Sequence, residues 1–128
     1  MVVSIVLSNT SGVPIYEQIK QQLRAGILRG DLAEGQALPS IRGLARDLQV
    51  SVITTTRAYA DLAAEGFVTN VPGKGSYVLP RDSRLVREQV LREIEDAFAA
   101  GIRQARLAGI AADELHALLD AILESEES

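Results

Sequence analysis

Ser40 with Arg42, the run Ser51-Val52-Ile53-Thr54 with Thr56 and Arg57, and the pair Lys74-Gly75 are the residues whose types and spacing could do chemistry together. That chemistry is recognition rather than bond making. A guanidinium presents a planar fork of N–H donors that matches phosphate oxygens or the edge of a guanine. An ammonium is a point charge for a phosphate, and a hydroxyl serves as donor or acceptor. A glycine lets backbone approach a neighbour closely. Nothing comparable is arranged for catalysis. No carboxylate pair or activated nucleophile is singled out by spacing, and the single histidine, His116, argues against a Ser-His-Asp triad and multi-histidine zinc sites. His116 reads as a solvated or packing side chain. The absence of cysteine excludes thiolate metal sites, disulfides and cysteine nucleophiles. No metal or cofactor is expected. Gly73-Lys74-Gly75-Ser76 resembles part of a phosphate-binding loop, but Val68 lacks the required glycine and Gly75 stands where a hydroxyl residue belongs. It reads as a hairpin turn.

The 128 residues are 47% hydrophobic and 23% charged, the mix of a globular chain long enough for one domain or a small domain with an oligomerisation tail. Aromatics make up only 4%, with no tryptophan, which disfavours a stacking platform for single strands. No apolar run reaches the length of a membrane span, and Met1-Val2-Val3-Ser4-Ile5-Val6-Leu7 lacks the basic start and apolar core of a signal peptide. Together with the missing cysteines, this points to a cytoplasmic protein without a membrane partner. Net charge is −4, unevenly divided. Residues 1–80 hold seven basic and six acidic side chains, net +1; residues 81–128 hold six and eleven, net −5. The two parts are therefore read separately, as a head (1–80) and a tail (81–128).

Residues 2–7 read as a short strand, and Ser8 to Gly12 as a polar loop. Pro14 opens a helix whose stripe is Ile15, Ile19, Leu23 and Ile27, stopped by Gly30. Ser40 caps a second helix to about Leu48, with Ile41, Leu44, Ala45 and Leu48 inward. Ser51 caps a third, to about Glu65. Val52-Ile53-Thr54-Thr55-Thr56 is β-branched throughout and favours a strand, yet Thr55, Ala58, Tyr59 and Leu62 share one helical face and Gly66 ends the run, so helix is predicted. Residues 67–71 and 76–79 form a hairpin around the four-residue loop Pro72-Gly73-Lys74-Gly75. Ser83 caps a long helix to about Leu107, Gly109 breaks it, and a last helix spans about 112–124 before the final Ser-Glu-Glu-Ser frays. Lys20 and Arg46 read as ordinary surface charges. Gln49 takes the place of a turn glycine and would carry a left-handed backbone at some cost.

Helix, helix, tight turn, helix, hairpin is the order of a winged helix-turn-helix, whose second motif helix enters the major groove while the wing lies beside the minor groove. The motifs Leu38-Pro39-Ser40-Ile41-Arg42-Gly43-Leu44-Ala45, Val50-Ser51, Thr54, Ala58-Tyr59 through Leu62 to Glu65-Gly66-Phe67-Val68, and Gly73-Lys74-Gly75-Ser76-Tyr77-Val78 resemble the GntR family of bacterial winged-helix regulators. Pro14-Ile15-Tyr16-Glu17-Gln18-Ile19 resembles that family's opening helix. Arg57-Ala58-Tyr59 and the short tail resemble the YtrA-like subgroup, which carries two C-terminal dimerisation helices in place of a large ligand-binding domain. The resemblance implies a mainly α fold with a small β-wing, and a homodimeric regulator acting as a repressor on double-stranded DNA with a near-palindromic operator. It implies contacts to phosphate or base by Ser40 and Arg42, DNA-facing hydroxyls at Ser51 and Thr54, a minor-groove approach at Gly75 and a phosphate contact at Lys74. Val52, Ile53, Thr56 and Arg57 complete the expected DNA-facing set. Val52 stands where many relatives have arginine, or proline in the YtrA-like subgroup, and Thr56 where some have arginine, which leaves guanine contacts to Arg42 or Arg57, and thymine methyls to Val52 or Ile53.

In the tail, Val90, Ile94, Ala97, Phe98, Gly101, Ile102 and Ala105 line one stripe, and Leu115, Leu118, Leu119 and Ile122 another. A lone helical hairpin buries such stripes poorly, and a second copy would close a four-helix arrangement. Ala111 stands where a capping serine is common, so Ala111→Ser should stabilise the tail by ~1 kcal/mol, read as a higher melting temperature. Three other readings stay open: a repressor sensing an unidentified small-molecule effector between head and tail, a winged-helix adaptor that binds protein, and, least supported, a small enzyme.

Overall fold

The computed structural model describes residues 4–126 as five helices and a two-stranded antiparallel sheet. Helix α1 spans Ile15–Arg29 and closes at Gly30, whose φ of 85° is a conformation favouring glycine. Its stripe is buried at Ile19, Leu23 and Ile27, while Ile15 is half-buried. Helices α2 (Ile41–Leu48) and α3 (Val52–Ala64) follow, each with the expected serine cap: Ser40 Oγ accepts from Gly43 N, and Ser51 Oγ from Thr54 N. Gln49 joins them in the left-handed region, at φ 57° and ψ 45°, as anticipated. It is the only non-glycine with positive φ among the described residues.

The β-branched start of α3 is helical. Thr55, Ala58, Tyr59 and Leu62 are all buried, and Tyr59 donates its hydroxyl to Pro39 O at 2.7 Å. Burying that face with Leu44, Ala45 and Phe67 outweighs local strand preferences of a few tenths of a kcal/mol per residue. Burial also pushes the Tyr59 phenol upward in pKa.

Strands β1 (Val68–Val71) and β2 (Gly75–Val78) pair with Val71 opposite Gly75. The turn therefore holds three residues, not the four expected. Pro72 and Gly73 occupy its centre, Gly73 at φ 75°, and Lys74 N bonds to Val71 O at 3.0 Å, the geometry that a Pro-Gly pair favours. That closure leaves Gly75 free to join the ladder. The segment before α2 adds backbone bonds from Leu38 N to Ser76 O and from Val78 N to Gln36 O.

The N-terminal strand is not found over residues 4–7; Val2 and Val3 lie outside the described residues. No neighbouring strand pairs with it. Instead the Gln22 side-chain amide bonds both polar groups of Val6, at 2.9 and 2.7 Å. One turn earlier, Gln18 holds Ser8 N, Ser8 O and Val13 O in the same way, each at 2.8 Å.

Helix α4 spans Arg84–Ala108, with Ser83 Oγ accepting from Val86 N. Gly109 ends it at φ 74°, and α5 spans Ala112–Glu126, so Ser125 and Glu126 are helical rather than frayed. The chain forms two compact units that divide inside α4, between Gln89 and Val90. In the first, Val86 is buried, Leu85 fills the space beside Gly66, and Arg81 donates to Leu28 O at the end of α1. In the second, Ala105 is buried, no residue of α5 is, and Leu91, Ile94, Phe98, Ile102, Leu118 and Ile122 are exposed.

Candidate nucleic-acid interface

Ser40 and Arg42 sit at the start of α2. A Cβ on Gly43 would lie 2.8 Å from Ser40 Oγ, so the glycine lets that cap close. The cap uses an acceptor site of Ser40 and leaves its O–H to donate outward. Arg42 is exposed, and its side chain has no ion pair among the described residues. Neither α2 nor α3 has an acid in its first turn, where acids are usually favourable. Both helix N-termini thus keep their positive ends open to an anion.

On α3, Ser51, Val52, Ile53, Thr56 and Arg57 are exposed and Thr54 is half-buried. Ser51 donates to Thr54 Oγ1 at 2.8 Å, which ties the two hydroxyls to each other. Arg57 lies over Tyr16, its guanidinium carbon 3.7 Å from the ring centroid. Stacking pins the plane of Arg57 against α1 and leaves its in-plane donors open. The sequence points Arg57 to DNA but gives no sign of this support, because Tyr16 lies 41 positions away on another helix.

At the wing tip, Lys74 and Gly75 are exposed, and nothing lies within 4 Å of a Cβ placed on Gly75, whose φ is 125°. The wing is braced on α3 by Asn70, which donates to Tyr59 O at 3.3 Å and accepts from Ser76 Oγ at 2.6 Å. Asn70 and Ser76 face each other in the hairpin. The expected four-residue turn would have shifted them out of register, which hid the pair.

Lys20 is a correction: it is not an ordinary surface charge. Its side chain is only 12% exposed, and Nζ lies 2.8 Å from Glu65 and 3.0 Å from Glu17. Burial alone would lower its pKa, but the bonds to Glu65 and Glu17 outweigh this and hold the ammonium above its ordinary value. Arg24 adds a contact to Glu65 at 3.7 Å and lies over Phe67. The cluster clamps α1 to the end of α3 and the entry to the wing. Arg46, in contrast, is exposed beside Asp47.

Among the described residues there is no group of His, Asp or Glu that could hold a metal, and no helix is long and apolar enough to cross a membrane. A shallow cavity of about 230 Å³ is lined by Ile27, Leu32, Val78 and Arg81, among others. This is below the usual range of about 300–1,000 Å³ for ligand pockets.

Residues 15–78 match the family of bacterial regulatory proteins called gntR. The chain is 33% identical to the HTH-type transcriptional repressor YtrA of Bacillus subtilis (strain 168), over 83% of this chain and 82% of that protein. The structure resembles YtrA from Sulfolobus acidocaldarius, a GntR-family transcription factor, with a TM-score of 0.61 and 32% identity, covering 97% of this chain and all of the other. It also resembles the AraR DNA-binding domain solved in complex with operator ORR3, with a TM-score of 0.51 and 28% identity over 59% of this chain and 90% of that one. A capped recognition-type helix, a braced wing and these likenesses lead to one conclusion: the chain belongs to the GntR family of bacterial regulatory proteins and is a DNA-binding transcriptional regulator.

Proposed function

We propose that this regulator is a cytoplasmic homodimeric repressor, without catalytic activity, that binds a near-palindromic operator in double-stranded DNA. Helix α3 enters the major groove and presents Val52, Ile53, Thr56 and Arg57 to base edges. Ser40, Arg42, Ser51 and Thr54 serve the flanking phosphates and bases from the starts of α2 and α3, and Lys74 and Gly75 approach the minor groove from the wing. The observation that carries this reading is the exposed leading half of α3, with its N-terminus capped and no acid in its first turn. The AraR DNA-binding domain, which this chain resembles, was solved in complex with an operator, which supports double-stranded DNA as the ligand.

One such module buries only about 600–1,000 Å² of protein surface on DNA, little for specific binding at cellular salt. Two copies joined through residues 90–126 would double it. Val90, Ile94, Ala97, Phe98, Gly101, Ile102 and Ala105 of α4, with Leu115, Leu118, Leu119 and Ile122 of α5, form the proposed seam. All of them except Val90, Ala105 and Leu115 are exposed, and an apolar stripe of this length is stable in water only when covered.

The test is fluorescence anisotropy of the full chain on the duplex upstream of its own coding sequence, titrated with salt against an unrelated duplex. The upstream duplex should bind preferentially, and log affinity should fall linearly with log salt. Arg42→Ala should weaken binding and flatten the slope by about one if it serves a phosphate, or cost about 10-fold or more at one base position if it reads guanine. Equal, weak binding to both duplexes, with Arg42→Ala unchanged, would overturn the interface.

A further inference from the structure

We infer that α3 reads thymine methyl groups, with Ile53 seated on a thymine C5 methyl in the major groove. This rests on the docking proposed above and names what the helix recognises. Ile53 is 81% exposed and Val52 40%, side by side on the first turn of α3. With 100° between successive residues, the face opposite Thr55, Ala58 and Leu62 is Ile53, Thr56, Arg57 and Ala60. The hydroxyls nearest Ile53 are engaged or buried: Ser51 donates to Thr54 Oγ1, and Thr55 is buried. Arg57, stacked on Tyr16 with its in-plane donors open, stands one turn further along. What projects from the first turn is two branched apolar side chains, followed one turn on by the methyl-bearing Thr56.

Thymine is the base that offers an apolar group, its C5 methyl, on the major-groove edge. A protein groove would accept the same apolar pair. Charge decides between the two occupants. Arg42, with no ion pair among the described residues, stands at the start of α2, and neither α2 nor α3 has an acid in its first turn. A phosphate backbone on either side of a groove matches that frame. Isoleucine is also the better fit to a methyl than the arginine and guanine pairing, because it has no donor that would be left unpaired against an adenine–thymine pair.

The experiment starts from duplexes recovered by affinity selection with the full chain from a randomised library. The recovered duplex is resynthesised with deoxyuridine in place of each enriched thymine, which deletes only the methyl, and affinities are read by anisotropy. One position should lose about four-fold, the value of one buried methyl. Ile53→Ala should bind the thymine and deoxyuridine duplexes equally, while keeping the wild-type melting temperature because the side chain is exposed. A duplex preferred over unrelated DNA but indifferent to every deoxyuridine would overturn methyl reading and leave the docking intact. Unchanged deoxyuridine sensitivity in Ile53→Ala would overturn the assignment to Ile53. Failure to enrich any duplex would overturn the docking itself, and this inference with it.

Discussion

Helices α1 and α5 are each 15 residues long and each carries an apolar stripe, yet α1 buries Ile19, Leu23 and Ile27 completely while no residue of α5 is buried. In the first unit, α2, α3 and the wing supply partners from the same chain. In the second, α4 offers α5 too little cover, and Phe98 remains 55% exposed. The contrast teaches that a stripe says which face wants burial, not what will bury it. The head answers the question within one chain. For the tail, a second copy is the proposed answer.

The sharpest way to break this comparison is to damage both stripes. Leu62→Ala, at a position with no exposure, should destabilise the head by about 2–5 kcal/mol in a denaturant titration. Phe98→Glu should instead halve the sedimenting mass while leaving the melting of the head almost unchanged. Wild type already sedimenting as a monomer, or Phe98→Glu unfolding the head as Leu62→Ala does, would end the contrast.

A smaller effect probes how the head fixes its helices. Lys20→Met leaves Glu65 without its closest cation and should destabilise by roughly 2 kcal/mol, between the values for exposed and buried pairs. The sign with pH follows from the raised pKa. The Lys20 contribution is fully present below its ordinary value of 10.5 and is lost as pH rises through the higher folded value. Stability curves of wild type and Lys20→Met should therefore run parallel from neutral pH to about 10 and converge above it. Convergence at lower pH would mean that other carboxylates or cations govern the cluster.

The smallest effect is local. Gln49→Gly relieves a left-handed backbone at φ 57° but frees the unfolded chain, for a net stabilisation of about 0.5–1 kcal/mol. A lower melting temperature would show that the Gln49 side chain, not its backbone, holds the turn.

Residues close in the chain made much of this protein legible in advance. Ser40 and Ser51 cap amides three residues on, Gly30 closes α1, and Thr55, Ala58, Tyr59 and Leu62 share a face through helical spacing. Such bonds and periodicities are written within a few positions, so the sequence by itself determined the helix order, the turn between α2 and α3, and the family pattern they carry. The expected strand at 2–7 failed over 4–7 because strand pairing needs a distant partner, and Gln22, 16 residues from Val6, supplied side-chain bonds instead. Lys20 met Glu65 across 45 positions, Arg57 found Tyr16, and the wing register followed a turn one residue shorter than expected. These depend on where whole elements land. Only the tertiary structure decided which arginine is stacked and which lysine is clamped, because each outcome is set by packing between segments that no local spacing connects.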